Sequence, residues 1–600
     1  MSQFLAIVTQ APHHDALDRW LSSANAEPNE VHRVSLGGGS RLTIVARDVR
    51  RGLTQNRFFA GIAIDPQRHE AGFGAAGWRR MRACEDERAH LGGGFIDISW
   101  SPTGVRFRRD TAGSLALLHT RGDGWWAFSD SLLLLVSLRR AMGEPVTPHR
   151  EALLARTRTL ALTTQGFSPD TIVSEVRFSP RGAAPRLVRD DPRTDFHLVT
   201  VDDEIHRDVV STAREYRREV RSLAANIVAQ AELPLRGVQV NLALSGGADS
   251  RLVLAAYRRA GRLGGIRVFS HEHAPSNRPD HALAASLAEA IGFPLSPPLT
   301  FRAGPTRTFH ASGAPLWASS HLGVYDRFMP GRTGTQVGTR LVRTAGTGAG
   351  VLKGAYGWRT LAQLERLYHV ERPDAGADAA ERRGALMSQL DAGMRAARID
   401  PRAWNASEQH YATYRNGLHG GSHSVQSLLA IQLLQQPAMI RMAHTPHLLS
   451  PDPRLHPRHG ISDLLALVDP ELARLPFLDA SNDRTPSDIA DQQRLYGGPL
   501  RDDEIPRYRV WGRPADAIAG PSAFGIRIAE RSGFDIDPTP EGILARADEI
   551  AAQTITEGVF DRAHAHLRRV AVSALVKQGI PARSAGPSVA KLLTPALFLV

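Results

Sequence analysis

The chain of 600 residues is poor in cysteine, in lysine and in long apolar runs. Its single cysteine, Cys84, excludes an internal disulfide framework and any metal site built from several cysteines. The longest apolar runs, Ser131–Leu138 and Leu592–Val600, are too short to span a bilayer. The first residues have neither a basic segment nor a small-residue cleavage site, so we expect a cytoplasmic protein that does not bind membranes.

Basic residues outnumber acidic ones, 73 to 61, and only three of the basic residues are lysines. The arginines are scattered, and no RNA- or DNA-binding motif accompanies them, so we expect no nucleic-acid partner. A hydrophobic content of 42% with 22% charged residues is typical of a globular chain, and the length suffices for two or three domains.

Residues 1–150 have the pattern of a β-rich domain, in which short apolar runs are broken by Gly, Pro and Asp. This pattern predicts two packed sheets. Residues 180–195 are rich in Pro, Arg and Asp and are interpreted as a linker, so the predicted domains are residues 1–195 and 196–600. The predicted strands are Phe4–Thr9, Arg41–Arg47, Gly94–Trp100, Val105–Arg109, Ser114–His119 and Trp125–Ser129.

The most informative stretch is a strand, Val238–Leu244, that runs through two glycines into a helix. Such a turn exposes backbone N–H groups and the positive end of the helix dipole at one point, which predicts a site for an anion such as phosphate. It is not a kinase or GTPase phosphate loop, because no lysine follows the last glycine. The predicted ligand-binding residues are Leu244, Ser245, Gly246, Gly247, Asp249 and Ser250.

A second strand, Gly265–His271, and a helix at 279–292 follow at the spacing of a βαβα unit. This alternation predicts a doubly wound parallel sheet with its ligand at the carboxyl ends of the strands. Ser270 lies near such an end, and a further strand enters the glycine-rich turn Gly346-Thr347-Gly348. We expect these four residues to face the same ligand.

Both glycine turns resemble those of a known superfamily. Ser245-Gly-Gly-Ala-Asp-Ser250 resembles the SGGxDS pyrophosphate loop of the ATP pyrophosphatases, and Leu341–Tyr356 is similar in register to the SGEGADELFGGY segment of asparagine synthetases. The resemblance implies an adenylating ATP-pyrophosphatase domain at 196–600 that uses ATP and Mg²⁺. It implies that Asp249 is a catalytic residue and a magnesium ligand.

The first domain resembles the glutaminase domain of asparagine synthetases, an α+β sandwich of the N-terminal-nucleophile type. The family's nucleophile is a Cys directly after the initiator Met, and here that position is Ser2. The domain is therefore interpreted as a degenerate glutaminase that produces no ammonia. The matching segments occur in the family's order and are Leu91–Phe95, Arg109–His119, Trp126–Leu132 and Thr171–Gly182.

The second domain departs from the family at charged positions. Thr347 and Gly350 replace two acids, which implies the loss of a magnesium ligand and a changed acceptor site. Arg458 stands where the family has a lysine that contacts the nucleotide phosphates, and the resemblance implies a catalytic role for it. Its planar guanidinium differs in geometry from an ammonium.

Two branches of the superfamily lack the N-terminal Cys and close a ring within one substrate: the β-lactam synthetases and the lasso peptide macrolactam synthetases (lasso cyclases). The chain is more similar to the second branch. We therefore expect ATP-dependent macrolactam formation in a ribosomal precursor peptide, with a leader-peptide protease and a leader-binding protein as further partners. The alternatives are an amidotransferase that uses free ammonia and a non-catalytic peptide-binding scaffold.

Residues 481–522 are interpreted as a lid over the peptide.

Overall fold

The computed structural model describes most of the chain and assigns it a mixed α/β fold. The described residues are 3–158, 161–202, 208–272, 277–297, 313–326, 328, 338–371, 378–426, 428–445, 449, 453–518, 520, 522–537, 539–554, 558–573 and 586–599. Ser2, the predicted counterpart of the family's nucleophile, lies outside them.

The described strands form three sheets. They are β1 (Phe4–Thr9), β2 (Val31–Gly37), β3 (Ser40–Ala46), β4 (Leu53–Thr54), β5 (Arg57–Asp65), β6 (Glu70–Phe73), β7 (Gly92–Ser101), β8 (Gly104–Arg109), β9 (Leu118–Gly122), β10 (Trp125–Ser129), β11 (Val176–Phe178), β12 (Ala183–Val188), β13 (His197–Asp202), β14 (Gln239–Ala243), β15 (Ile266–Phe269), β16 (Leu295–Ser296), β17 (Gly338–Thr344), β18 (Leu428–Ala430) and β19 (Arg509–Trp511).

Helices cover the sheets and fill the C-terminal part of the chain. They are α1 (His14–Ser23), α2 (Val49–Gly52), α3 (Gly74–Arg80), α4 (Leu132–Ala141), α5 (Arg150–Arg156), α6 (Ala213–Gln230), α7 (Ala248–Arg259), α8 (Arg278–Ile291), α9 (Gly313–His321), α10 (Gly350–Lys353), α11 (Leu361–Arg366), α12 (Ala379–Ala396), α13 (Ala406–Tyr411), α14 (Gly417–Gln426), α15 (Pro437–Ala443), α16 (Gly460–Val468), α17 (Pro470–Arg474), α18 (Pro486–Leu495), α19 (Ala523–Ala529), α20 (Pro540–Thr554), α21 (Gly558–Val572) and α22 (Gly586–Leu593).

The first two sheets pack face to face, which confirms the prediction of a β-rich region with two packed sheets. One has the order β11-β9-β10-β1-β3-β2 and the other β13-β12-β8-β7-β5-β6-β19. Apolar side chains of both sheets form one buried core, in which Phe4 and Ile44 of the first meet Phe58 and Ile98 of the second. Alternating side chains of each strand enter this core, as expected for sheets that bury one face against each other.

The prediction of a strand at Ser114–His119 is wrong for its first four residues, since β9 begins only at Leu118. The Asp110 carboxylate accepts hydrogen bonds from the N–H and the hydroxyl of Ser114. The Arg109 guanidinium donates to the carbonyl of Leu115 at 2.8 Å. These side chains bind backbone groups that a strand ladder would need, so residues 114–117 are irregular instead.

The interpretation of residues 180–195 as a linker is wrong. β12 and β13 form an antiparallel hairpin, and β12 also pairs with β8, so the second sheet extends to Asp202. Arg189 fixes the hairpin connection by donating to the carbonyls of Leu36 and Pro102. Composition alone did not distinguish the two structures, because Pro and Arg are compatible with an edge hairpin as well as with a linker.

The lid interpretation is wrong for the part of the 481–522 stretch around β19. β19 pairs in parallel with β6 and completes the second sheet. The Tyr508 hydroxyl donates to Asn226 at 2.7 Å and accepts a hydrogen bond from Gln230 at 2.8 Å, both on α6. These contacts attach the segment to the body of the protein.

The third sheet has the order β16-β15-β14-β17-β18, and every pairing in it is parallel. The predicted alternation of strand and helix is confirmed for β14, α7, β15 and α8. α8 ends at Gly292, whose φ of 78° lets the chain leave the helix as predicted. β15 and β16 lie on one side of β14, and β17 and β18 lie on the other. The direction in which strands are added therefore reverses at β14, and a crevice opens between the ends of β14 and β17.

The C-terminal helices pack against the first sheet rather than standing apart from it. A single buried cluster contains Leu5 and Ile7 of β1 together with Ile543 of α20, Leu567 of α21 and Val589 of α22. In the described ranges, no helix combines the length and the apolar composition that crossing a membrane requires.

Candidate functional site

The first glycine turn lies at the carboxyl end of β14, in the crevice of the parallel sheet. Leu244 continues the strand pairing by donating its N–H to the carbonyl of Phe269 at 2.9 Å. The Ser250 hydroxyl accepts the N–H of Ser245 at 3.0 Å and lies 3.1 Å from the Ser245 hydroxyl. The two serines therefore brace the turn internally.

α7 begins immediately after this turn without a capping side chain. Its N-cap residue is Gly247, which has no side chain to accept hydrogen bonds from the first helical N–H groups. These donors and the helix dipole point out of the carboxyl end of the sheet. The local sequence thus builds the uncapped helix start from which an anion site was predicted, and anion binding itself stays a prediction.

The second glycine turn packs directly on the first. A Cβ added at Gly346 would lie 2.5 Å from the carbonyl carbon of Asp249, and one added at Gly348 would lie 2.4 Å from the carbonyl oxygen of Leu434. Gly348 also has a φ of 109°, which favours glycine. Thr347 lies between them and is partly exposed. The glycine at position 346 allows the two turns to approach this closely, and Gly348 packs instead on Leu434.

Asp249 forms an ion pair with a residue that the sequence interpretation did not assign. The Lys353 ammonium at the end of α10 lies 3.1 Å from the Asp249 carboxylate. Burial raises the pKa of Asp249 above its ordinary value, and the Lys353 charge opposes that rise. Lys353 is one of the few lysines of the chain and follows the second glycine turn, and this was the signal that could have identified it.

A second carboxylate, Asp280 at the start of α8, occupies the first turn. Its Oδ1 accepts the N–H of Gly246 at 2.7 Å. A Cβ at Gly246 would lie 2.9 Å from that oxygen and 3.0 Å from Cβ of Leu478, so the turn is closely covered on this side. The carboxylate oxygen holds the position that a phosphate oxygen would take at this N–H. Sequence reasoning missed Asp280, although the helix predicted at 279–292 begins beside it.

The other two predicted residues are Ser270 and Arg458. Ser270 directly follows β15 and is buried. Arg458 is exposed, and its Nε donates to His459 at 3.1 Å. Gly460, two residues on, packs against Leu352 of α10, which places Arg458 on the side of the crevice that carries Lys353. Within the described chain, Arg458 makes no hydrogen bond or ion pair with residues 245–250.

The structure gives a physical reason for the glycine at position 350, where the resemblance implies an acid. A Cβ there would lie 2.3 Å from the hydroxyl oxygen of Tyr411, so the tyrosine fills the space of a side chain. Tyr411 is buried and meets Tyr356 edge to face at 5.1 Å. A different acid is close by: Glu408 is buried and accepts the N–H groups of Tyr356 at 2.6 Å and Trp358 at 3.2 Å.

The carboxyl group of Glu408 has a raised pKa. Burial raises its pKa to about 7, and the hydrogen bonds from the backbone of Trp358 and Tyr356 oppose that rise. A carboxyl group with this pKa exchanges a proton near neutral pH. It lies beside the second glycine turn, but its position in the sequence, within Ala406–Tyr411, gave no sign of this.

The donor groups around the first turn fit a magnesium ion that accompanies a nucleotide. Mg²⁺ is commonly held by one or two carboxylates together with phosphate oxygens. Asp249 and Asp280 supply two carboxylates at the same turn. No group of three or more His, Cys, Asp or Glu side chains suitable for a metal occurs among the residues that the structure describes, so phosphate oxygens would have to complete the shell.

Neither protein-family models nor curated protein sequences match the chain. Its function is therefore inferred from the site itself.

Proposed function

We propose that the protein is an ATP-dependent carbon–nitrogen ligase that closes a macrolactam ring in a ribosomally made precursor peptide, as a lasso cyclase does. The observation that carries the proposal is the contact between the two glycine turns at the crevice, where Gly346 packs on Asp249 and Lys353 pairs with it. This arrangement supports cleavage of ATP between its α and β phosphates, which the resemblance to asparagine synthetases implies.

The chemistry begins with an Asp or Glu side chain of the peptide. Its carboxylate oxygen attacks the α-phosphorus of ATP, the bond to the β-phosphate breaks, and pyrophosphate leaves. The uncapped N–H groups at the start of α7 hold the departing pyrophosphate, and the Lys353 ammonium offsets its charge. Asp249 would hold Mg²⁺, with Asp280 at the same turn as a second carboxylate, and the ion would supply further neutralisation of the phosphates.

The second step forms the isopeptide bond. The α-amine of the peptide attacks the acyl carbon. The bond between that carbon and the AMP oxygen breaks, AMP leaves with the bonding electrons, and the amine loses one proton. Holding both ends of one peptide in the crevice makes this step intramolecular, which removes the entropic cost of collecting a separate amine.

The first two sheets support the idea that the N-terminal region is a degenerate glutaminase of the N-terminal-nucleophile type. They form a sandwich that is antiparallel except at β19 and that packs against the proposed ligase domain. The proposal keeps residues 1–195 as that domain and 196–600 as the ligase, with the observed additions of β13 and β19 to the sandwich. A leader-peptide protease and a leader-binding protein remain the expected partners.

A non-catalytic, peptide-binding scaffold is the second candidate. Two observations favour it: Gly350 and Thr347 lack the family's acids, and Asp280 already occupies the Gly246 N–H. An amidotransferase that uses free ammonia is the third alternative, because the same adenylation could serve a small acceptor.

The test is release of AMP and pyrophosphate from ATP, measured with a candidate precursor peptide, with aspartate and ammonia, and with neither. Turnover that needs the peptide, together with loss of one water from the peptide in mass spectrometry, is the expected result. Turnover with aspartate and ammonia supports the amidotransferase, and no turnover supports the scaffold. Asp249→Asn abolishes the peptide reaction, whereas Asp535→Asn, at an exposed position, leaves it unchanged.

A further inference from the structure

A cavity of about 310 Å³ lies away from the two glycine turns, between α5 and the C-terminal helices. Its walls are mainly apolar and include Leu153, Ile172, Leu567 and Phe598. A volume of this size is at the lower end of the range of small-molecule sites, which are also mostly apolar with a few polar groups. It has room for about ten non-hydrogen atoms, at about 30 Å³ for each.

Lys591 of α22 brings a cation into this apolar cavity. Only 8% of its surface is exposed, and its ammonium donates to two neutral oxygens, the carbonyl of Arg158 and the hydroxyl of Thr163. In the described chain, no carboxylate lies within ion-pair distance of Lys591. A buried charge without an opposite charge is costly, so an anion in the cavity would be stabilised there.

The other charged groups of the lining do not cancel this cation. Arg156 and Asp326 neutralise each other in a buried ion pair at 2.6 Å. Arg150 pairs with Glu381 at 2.7 Å and is half exposed. Burial lowers the pKa of Lys591 to about 7, and an anionic partner would raise it again. Protonated Lys591 is therefore the charge of the lining that has no carboxylate of the described chain within ion-pair distance.

His564 of α21 adds an unsatisfied polar atom. It also lines the cavity, and its Nε2 is buried without a hydrogen-bond partner in the described chain. Burial lowers the pKa of this imidazole, which favours its neutral form. A neutral ring with a free nitrogen accepts or donates one hydrogen bond, so it can bind a polar head group but does not require a second charge.

We propose that this cavity binds an amphipathic monocarboxylate, with the carboxylate at Lys591 and an apolar chain of about eight carbons along Leu153, Ile172, Leu567 and Phe598. The proposal does not depend on the ligase activity, because none of these residues belongs to the glycine turns.

Octanoate is the probe, and isothermal titration calorimetry of the full chain is the measurement. We expect saturable binding of one octanoate per chain and at least tenfold weaker binding of octan-1-ol, which has the same chain without the charge. Equal affinity for the two compounds, or no saturable octanoate binding, would overturn the proposal.

Two variants locate the binding. Leu153→Trp fills the cavity from its partly exposed edge and should abolish octanoate binding, whereas Val201→Trp, at an exposed strand position, should not change it. Lys591→Met should weaken octanoate at least tenfold and leave octan-1-ol unaffected. If Lys591→Met does not fold, the two tryptophan variants decide, and octanoate binding that survives in Leu153→Trp refutes the site.

Discussion

Asp280 gives the sharpest prediction, because its carboxylate and a nucleotide phosphate compete for one donor. The Gly246 N–H donates to Asp280 Oδ1 at 2.7 Å. A hydrogen bond to a charged acceptor contributes about 1.5–3 kcal/mol. Asp280 is partly exposed, so solvent screening reduces the contribution of this hydrogen bond to about 1–2 kcal/mol. ATP loses this amount of binding free energy when its phosphate displaces the carboxylate. Repulsion between the carboxylate and the phosphates acts in the same direction.

Replacing Asp280 with alanine should therefore tighten the binding of ATP without Mg²⁺ by about five- to thirtyfold. Asp280→Asn should give a smaller gain, since its amide oxygen still accepts the N–H but carries no charge. With Mg²⁺ the gain should shrink or reverse, because the cation turns the carboxylate from a competitor into a ligand.

Binding is measured by calorimetry in EDTA and then in excess Mg²⁺. Glu289→Ala is the matched control, as it removes an exposed acid from the same helix. Unchanged or weaker ATP binding by Asp280→Ala in EDTA would refute the competition. Absence of ATP binding by the unaltered protein would instead refute the proposed ligase function.

Three further predictions concern closely packed positions. Gly346→Ala should lower the free energy of unfolding by about 1–3 kcal/mol and abolish ATP turnover, since its Cβ would lie 2.5 Å from the Asp249 backbone. The pKa of Glu408 in the folded protein, about 7, exceeds the ordinary 4.5. The native protein therefore gains stability as the pH falls from 7 towards 4.5, by up to about 3 kcal/mol. Glu408→Gln should remove this gain and so flatten the pH dependence of the free energy of unfolding. Cys84 should resist alkylation in the native protein at pH 8, because burial raises the pKa of its thiol to about 11.

Each of these has a control in the same chain. Gly384→Ala adds a Cβ in a helix where no atom lies within 4 Å, so its melting temperature should not fall. Glu289→Gln should leave the pH profile of denaturant unfolding unchanged, and an unchanged profile in Glu408→Gln would contradict the prediction. Cys84 should react rapidly in denaturant, and equally rapid reaction in the folded protein would show that the thiol is accessible.

The local architecture of the site could be predicted from the sequence. A β-rich run, two glycines and an amphipathic helix lie next to each other in the chain, and short-range conformational preferences are enough to define β14, the turn and α7. The alternation of strand and helix then predicts parallel pairing. The anion site follows from the same local pattern.

The groups that complete the site depend on tertiary structure. Lys353 reaches Asp249 across 104 residues of sequence, and Asp280 reaches Gly246 across 34. Neither contact leaves a local pattern, because it depends on which strand ends lie side by side in the folded sheet. The same holds for β19, which pairs with a strand more than four hundred residues earlier. It holds also for the cavity of Lys591, whose walls combine Pro148 and Ile172 with Phe598.

The sequence by itself thus determined where the glycine turn between β14 and α7 forms, since backbone conformation is set by neighbouring residues. Only the tertiary structure decided which charges surround that turn, because a side chain's electrostatic partners are chosen by packing.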